Sequence, residues 1–400
     1  MSSNDQDHQY KLLGKRLAWA LGYIPLLNVP VTLPVDANGK AGTDLTDADV
    51  YGFRFDSSGG VARLLVDCKT TSGRAVDRVL WVRGLQDVLK LDELYLFKKK
   101  VPDNARWLAH LLKVICVDEK EMYELDARLG LSRLRGPYFD GSGYESIEKI
   151  TNFPKGSEYR SLVQFLKVGV WSLSPAHRVL TLLNLGQQNE LHRKLRGDDL
   201  SHICIVLLAA RALAISLGIL ISNLNVTDVL SVEDRLRQEL HGGAESLAQK
   251  VRFAKAIHRL TGESNAEQAI DHDTFPHLLE EVNRLLIRRY ALNDAIRITD
   301  LSLHYIAAGT TSLPRHLSGS ESILSAKMAS DILNLFVKSN SLDIEFSKII
   351  LNLITAPAST GGETEEKISS LKTYESVEPG DSSKDRQYSL LTPLPPLDDK

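Results

Sequence analysis

Cysteine is scarce: three residues in 400, at Cys68, Cys116 and Cys204, with no CxxC pair. That excludes a disulfide framework and a paired-cysteine zinc finger, and the usage fits a reducing, cytoplasmic compartment. Charge of one sign is missing as well. Lys and Arg total 48 against 51 Asp and Glu, a formal net charge of −3. A chain that coats nucleic acid along its whole surface would be basic, so any such contact has to be a local groove. The opening residues, Met1-Ser2-Ser3-Asn4-Asp5-Gln6-Asp7-His8, lack the basic-then-apolar pattern of a secretion signal. There is no phosphate-cradling P-loop, no GxSxG elbow and no HExxH zinc helix. A long apolar run occurs once, from Ile203 to Ile221. Arg211 near its middle would cost roughly 2.5–3.5 kcal/mol in a bilayer. Ala209, Ala210, Ala212, Ala214 and Ser216 suit close helix packing, so the run reads as a buried central helix, with no membrane partner.

What is present divides the chain. Four hundred residues exceed one compact core. Residues 1–130 alternate between helical and strand-like patterns: a helix over 8–22, an edge strand in the proline-bearing run Tyr23–Val35, a hairpin over 48–69, a helix over 75–91, then strand, helix, strand to Val117. On the 75–91 helix, Val76, Val79, Leu80, Val82, Leu85, Val88 and Leu89 read as inward-facing and Trp81 as core. This order predicts an α/β domain, a mixed sheet flanked by helices. A Gly-, Pro- and Ser-rich stretch over 131–156 reads as a connecting loop, and 157–355 as an all-α domain. There Ser174-Pro175, Ser231 with Asp234, and Thr274 before Pro276 mark helix starts. Residues 356–400, acidic and rich in Ser and Pro, read as a disordered tail.

The chemistry concentrates in the hairpin. The run Ala48–Phe55 and the run Val61–Lys69 are joined by Asp56-Ser57-Ser58-Gly59-Gly60, a polar loop of hairpin length. Pairing Phe55 with Val61 and counting back sets Asp49 opposite Asp67, two like charges that should repel unless a cation lies between them. Lys69, two residues on, shares the face of Asp67. Asp-x-Lys alone says little, since Asp118-Glu119-Lys120 and Glu365-Glu366-Lys367 repeat the pattern. Only at 67–69 does a hydrophobic strand deliver it beside an aligned acid.

Three segments together, Leu17-Ala18-Trp19-Ala20-Leu21-Gly22-Tyr23, Thr46-Asp47-Ala48-Asp49-Val50 and Leu64-Leu65-Val66-Asp67-Cys68-Lys69, resemble the PD-(D/E)XK nuclease superfamily, the restriction-endonuclease-like fold. The likeness covers roughly residues 10–120. It implies an Mg²⁺-dependent endonuclease that hydrolyses phosphodiester bonds, of DNA by family frequency, in defence or DNA processing. Asp49 and Asp67 would be metal ligands with the Cys68 carbonyl, and Mn²⁺ would substitute. Asp49, Asp67 and Lys69 would form the catalytic set, with Lys69 on the attacking water. The Cys68 thiol should point to the opposite, buried face. The family often places a glutamate on the first helix, whereas residues 8–16 offer only Gln9 at that distance. Asp47 is a second-choice ligand. Arg74, Arg78 and Lys98 are candidates to grip nucleic-acid phosphates. The helical domain would select the target or a protein partner, and a homodimer stays open. The competing reading is a non-catalytic interaction protein on a decayed nuclease fold. Arg196–His202 reads as a helix break and N-cap, and Asp271-His272-Asp273 as a capped helix start.

Overall fold

The computed structural model describes residues 3–32, 44–70, 74–186, 190–224, 231–261, 273–314 and 322–355. The expected tail over 356–400 and the Asp271-His272 pair lie outside the described residues.

Helix α1 (Ser3–Ala20) ends at Gly22, whose φ of 86° turns the chain into strand β1 (Ile24–Thr32). Strands β2 (Asp44–Phe55) and β3 (Val61–Lys69) close the hairpin as its sequence predicts. Asp56 builds the turn: its Oδ1 accepts the Ser58 hydroxyl at 2.6 Å and the Gly60 amide at 2.8 Å, and Gly59 takes a φ of 97°. After the hairpin come α2 (Ala75–Leu89), β4 (Glu93–Lys98), α3 (Asp103–Leu111), β5 (Ile115–Asp118) and α4 (Glu119–Leu129). A capping box between Asp118 and Glu121 opens α4, so the second Asp-x-Lys tripeptide serves a helix start. The strands form one mixed sheet in the order β1-β2-β3-β4-β5. The hairpin pairs are antiparallel, and β3-β4 and β4-β5 are parallel. The proline-bearing β1 lies at the edge, where a missing amide costs no ladder bond.

Each face of the sheet has its own cover. Leu17 and Ala18 of α1 pack with Val50, Leu64, Val66 and Cys68 on one face. Gly14 permits this approach, since a Cβ there would come within 3.1 Å of Val66 and 3.2 Å of Val50. On the other face, Val79, Val82 and Leu85 of α2 join Tyr51, Phe53, Phe55, Leu65, Leu94 and Leu96. α2 buries a narrower stripe than its sequence suggests. Leu80 is 52% exposed, Trp81 41% and Val88 48%, so these three are surface residues, not core.

Beyond α4 the chain is helical. Within 131–156, expected as a loop, it forms a 3₁₀ turn, Leu131–Arg133, and helix α5 (Ser142–Ile150). Ser174, Ser231 and Thr274 stand at the helix starts they mark in the sequence, and the first two accept amide hydrogen bonds. The apolar run becomes the helix Leu200–Asn223, buried nearly throughout. Asp199 caps its start by accepting from the amides of Ser201 and His202, as the helix-break reading of 196–202 expects. Arg211 is neutralised from inside the protein by Asp300 at 3.1 Å. Helices Arg289–Ala307 and Ser322–Ser339 pack beside it. The apolar core runs unbroken from the sheet into these helices. Gly218 marks the closest approach: a Cβ there would sit 2.7 Å from the Phe55 ring.

Candidate functional site at the end of the central hairpin

The β2–β3 ladder runs one for one from Phe55↔Val61 to Val50↔Val66. There it ends, one residue before Asp49. The cause is a paired irregularity in β1 and β2. In β1, Ile24 and Leu26 face the α2 side, and so do Val29 and Val31, an odd spacing that skips Leu27 and Asn28. In β2, Phe55, Phe53 and Tyr51 face that side, and so does Ala48, skipping Val50 and Asp49. Asn28 absorbs the switch with a φ of 51°, a left-handed conformation that Asn tolerates better than most side chains. Both strands change face at the same level, so the pairing on either side keeps its register.

The switch turns Asp49 toward α1. Lys11 of that helix donates to Asn28 Oδ1 at 2.8 Å and reaches Asp49 Oδ1 at 2.9 Å. The second oxygen, Oδ2, accepts the backbone amide of Cys68 at 2.9 Å, replacing the ladder bond the strand has given up. Lys69 Nζ lies 3.7 Å from the same oxygen. Burial works to lower the Lys11 pKa, but the hydrogen bond and charge of Asp49 outweigh it and raise it overall.

Asp67 follows the regular alternation of β3 and turns to the α2 side, where Arg78 holds both its carboxylate oxygens. The expectation that Asp49, Asp67 and Lys69 share one sheet face therefore needs correction. Asp49 and Lys69 meet, while Asp67 and Asp49 flank Cys68 and carry separate cations. Arg78, expected at a phosphate, is engaged with the carboxylate. Lys98 aligns with Lys69 across the parallel β3–β4 ladder and is buried. Burial, with Arg78 nearby, pushes its amine below the ordinary lysine range, and Asp67 offsets part of that. Arg74 is exposed at the start of α2. The Cys68 thiol lies in the apolar layer beneath α1, and burial pushes its pKa far up.

The two auxiliary candidates stand elsewhere. Gln9 is exposed on the outer side of α1, and Asp47 is exposed, paired through its backbone with Pro30. The first helix does supply an acid, which the sequence pattern does not announce. α1 begins at Ser3, not near residue 8, and Asp7 lies one turn before Lys11, 3.7 Å from its amine. The 3.6-residue period is the available signal, since it sets Asp7 and Lys11 on one stripe.

The donor chemistry matches a hard cation: Asp49, Asp67 and the Cys68 carbonyl offer oxygen only, and Mg²⁺ commonly takes one or two carboxylates and keeps its waters. Among the described residues no group of three His, Cys, Asp or Glu side chains is disposed to hold a metal. A cation would have to displace Lys11 or Arg78, because both carboxylates are buried behind these partners. Comparison of the chain with protein-family models, with curated proteins and with solved structures returns no match.

Proposed function

We propose that the chain is a metal-dependent nuclease of the restriction-endonuclease-like class, acting on phosphodiester bonds, with DNA the first substrate to test. One observation carries the reading. Asp7, Asp49 and Asp67 stand with four cations, Lys11, Lys69, Arg78 and Lys98, where β3 parts from β2, although the chain as a whole is slightly acidic. Such a local surplus suits a polyanionic backbone. Mg²⁺, or Mn²⁺ in its place, would need Asp49 and Asp67, now turned to different partners, brought together beside the Cys68 carbonyl, and would supply an acidified water and charge neutralisation at the phosphate. Lys69, one-third exposed beside Asp49, would stabilise charge developing on the phosphate oxygens. Of the basic residues expected at phosphates, Lys98 is buried, and the exposed Arg74 at the start of α2 is the one that would position the backbone. For the metal to bind, Arg78 and Lys11 would have to leave the carboxylates, and an incoming phosphate is the anion that would attract them.

A second reading, a nucleic-acid or protein-binding scaffold without catalysis, is favoured by one specific feature: both carboxylates are already neutralised by Arg78 and Lys11. The test uses supercoiled plasmid, single-stranded DNA and RNA, each with Mg²⁺, Mn²⁺ or EDTA. The nuclease predicts nicking that needs metal and disappears in both Asp67→Asn and Lys69→Met. Cleavage that persists in both variants, or wild-type binding without cleavage, overturns it, and the latter outcome supports the scaffold.

A further inference from the structure

Asn28 also lines a partly open cavity of about 200 Å³, bordered by β1, α5, the helix Leu200–Asn223 and the helical stretch around residues 164–171. That is room for far more than one water. Its apolar walls are Leu26, Ile147, Leu208 and Trp171, and its polar lining includes Lys15, Arg211, Lys167, Glu148 and His304. The charges do not balance. Lys167 is matched by Glu148 at 2.9 Å, leaving Lys15 and Arg211 to share the carboxylate of Asp300, with Asp140 acting more weakly on Lys15. Asp300 is fully buried and already accepts Arg211 Nη1 at 3.1 Å and the Tyr138 hydroxyl at 2.6 Å.

Lys15 therefore has no carboxylate of its own. Its amine lies 3.7 Å from the centre of the Tyr138 ring and 3.4 Å from His304 Nε2. His304 Nδ1 is 2.8 Å from the Asp300 carbonyl, which can only accept, so Nδ1 carries the proton and Nε2 presents a lone pair to Lys15. Arg211 Nε has no hydrogen-bond partner among the described residues. Burial, reinforced by Arg211, brings the Lys15 pKa down to about 7, with Asp300 and Asp140 opposing. Burying such an amine with half a partner is costly, and a stability role alone would be served better by an apolar residue.

We propose that this cavity binds a small organic anion, its carboxylate or phosphate head seated between Lys15 and Arg211 and a compact apolar body lying against Leu26, Ile147 and Trp171. The proposal stands independently of the nuclease reading, because none of these groups belongs to the Asp49–Asp67 site.

The test holds ionic strength constant and replaces chloride with inorganic phosphate or with acetate, each the bare form of one candidate head. Wild-type protein is expected to gain thermal stability with the preferred anion, with a millimolar dissociation constant weakened about tenfold or more in Lys15→Met and in the cavity-filling Val168→Trp. Whichever anion stabilises more identifies the head. In parallel, wild-type crystals soaked in bromide should show an anomalous peak between Lys15 and Arg211, a result that does not depend on either variant folding. Equal stabilisation of wild type and both variants, no stabilisation by either anion, or bromide bound only elsewhere overturns the proposal.

Discussion

At the scale of single residues, the molecule is governed by charges that burial has made expensive. Arg78 holds an almost inaccessible Asp67, so Arg78→Leu should strand a buried carboxylate and cost about 3 kcal/mol in urea denaturation. Added Mg²⁺ should return part of that loss if Asp67 is a metal ligand, and none if it is only a structural partner. His304 makes a pH prediction. Burial, with Lys15 beside it, holds its pKa down at about 3, whereas an unfolded chain would titrate it near its ordinary 6.5. Between those values the unfolded state binds the extra proton, so stability must fall as pH drops from 6.5 toward 3, by at most about 1.4 kcal/mol per pH unit from this group. Denaturation midpoints across that window should show the decline, and His304→Gln should flatten it. Lys15 acts on the alkaline side: its lowered pKa makes the fold gain stability as pH rises from about 7 toward 10.5.

At the scale of elements, the close approach of the central helix to the hairpin makes a sharp demand. A methyl group at Gly218 would collide with the Phe55 ring, so Gly218→Ala should destabilise by about 1–3 kcal/mol. Phe55→Leu in the same chain should recover much of it, a coupling that a thermal-melt double-mutant cycle would register. The elements themselves are largely legible in the sequence. Alternation in 48–55 and 61–69, a turn stocked with Asp and Gly, and a change to helical period at 75 specify the hairpin and the helix α2. The direction of Asp49 is not legible. It depends on β1 and β2 switching faces together, which the sequence marks only by an Asn at position 28. Asp7 escapes notice because polar residues opening a helix carry no apolar stripe. The exposure of Trp81 is equally hidden, because α2 buries only Ala75, Val79, Val82 and Leu85, and a periodic pattern does not say how wide the buried stripe will be.

At the scale of the whole molecule, the sheet and the helices share one core. The α2-side face of the sheet, with Phe53, Phe55 and Leu65, is covered in part by the helix Leu200–Asn223 and its neighbours. A fragment ending at residue 156 would leave that face open. It should be insoluble, or bind a hydrophobic dye strongly, while the full-length chain does neither. A well-folded fragment with a cooperative melt would show the shared core to be dispensable. The paired face switch at Asn28 and Asp49 has one more consequence. A single-residue deletion in β1 or in β2 alone would rotate half of one strand by a side-chain position, driving valines into water and polar groups into the interior. Length changes at this hairpin can be tolerated only as matched pairs, so Lys11 and Asp49 are locked together by the counting of residues as firmly as by charge.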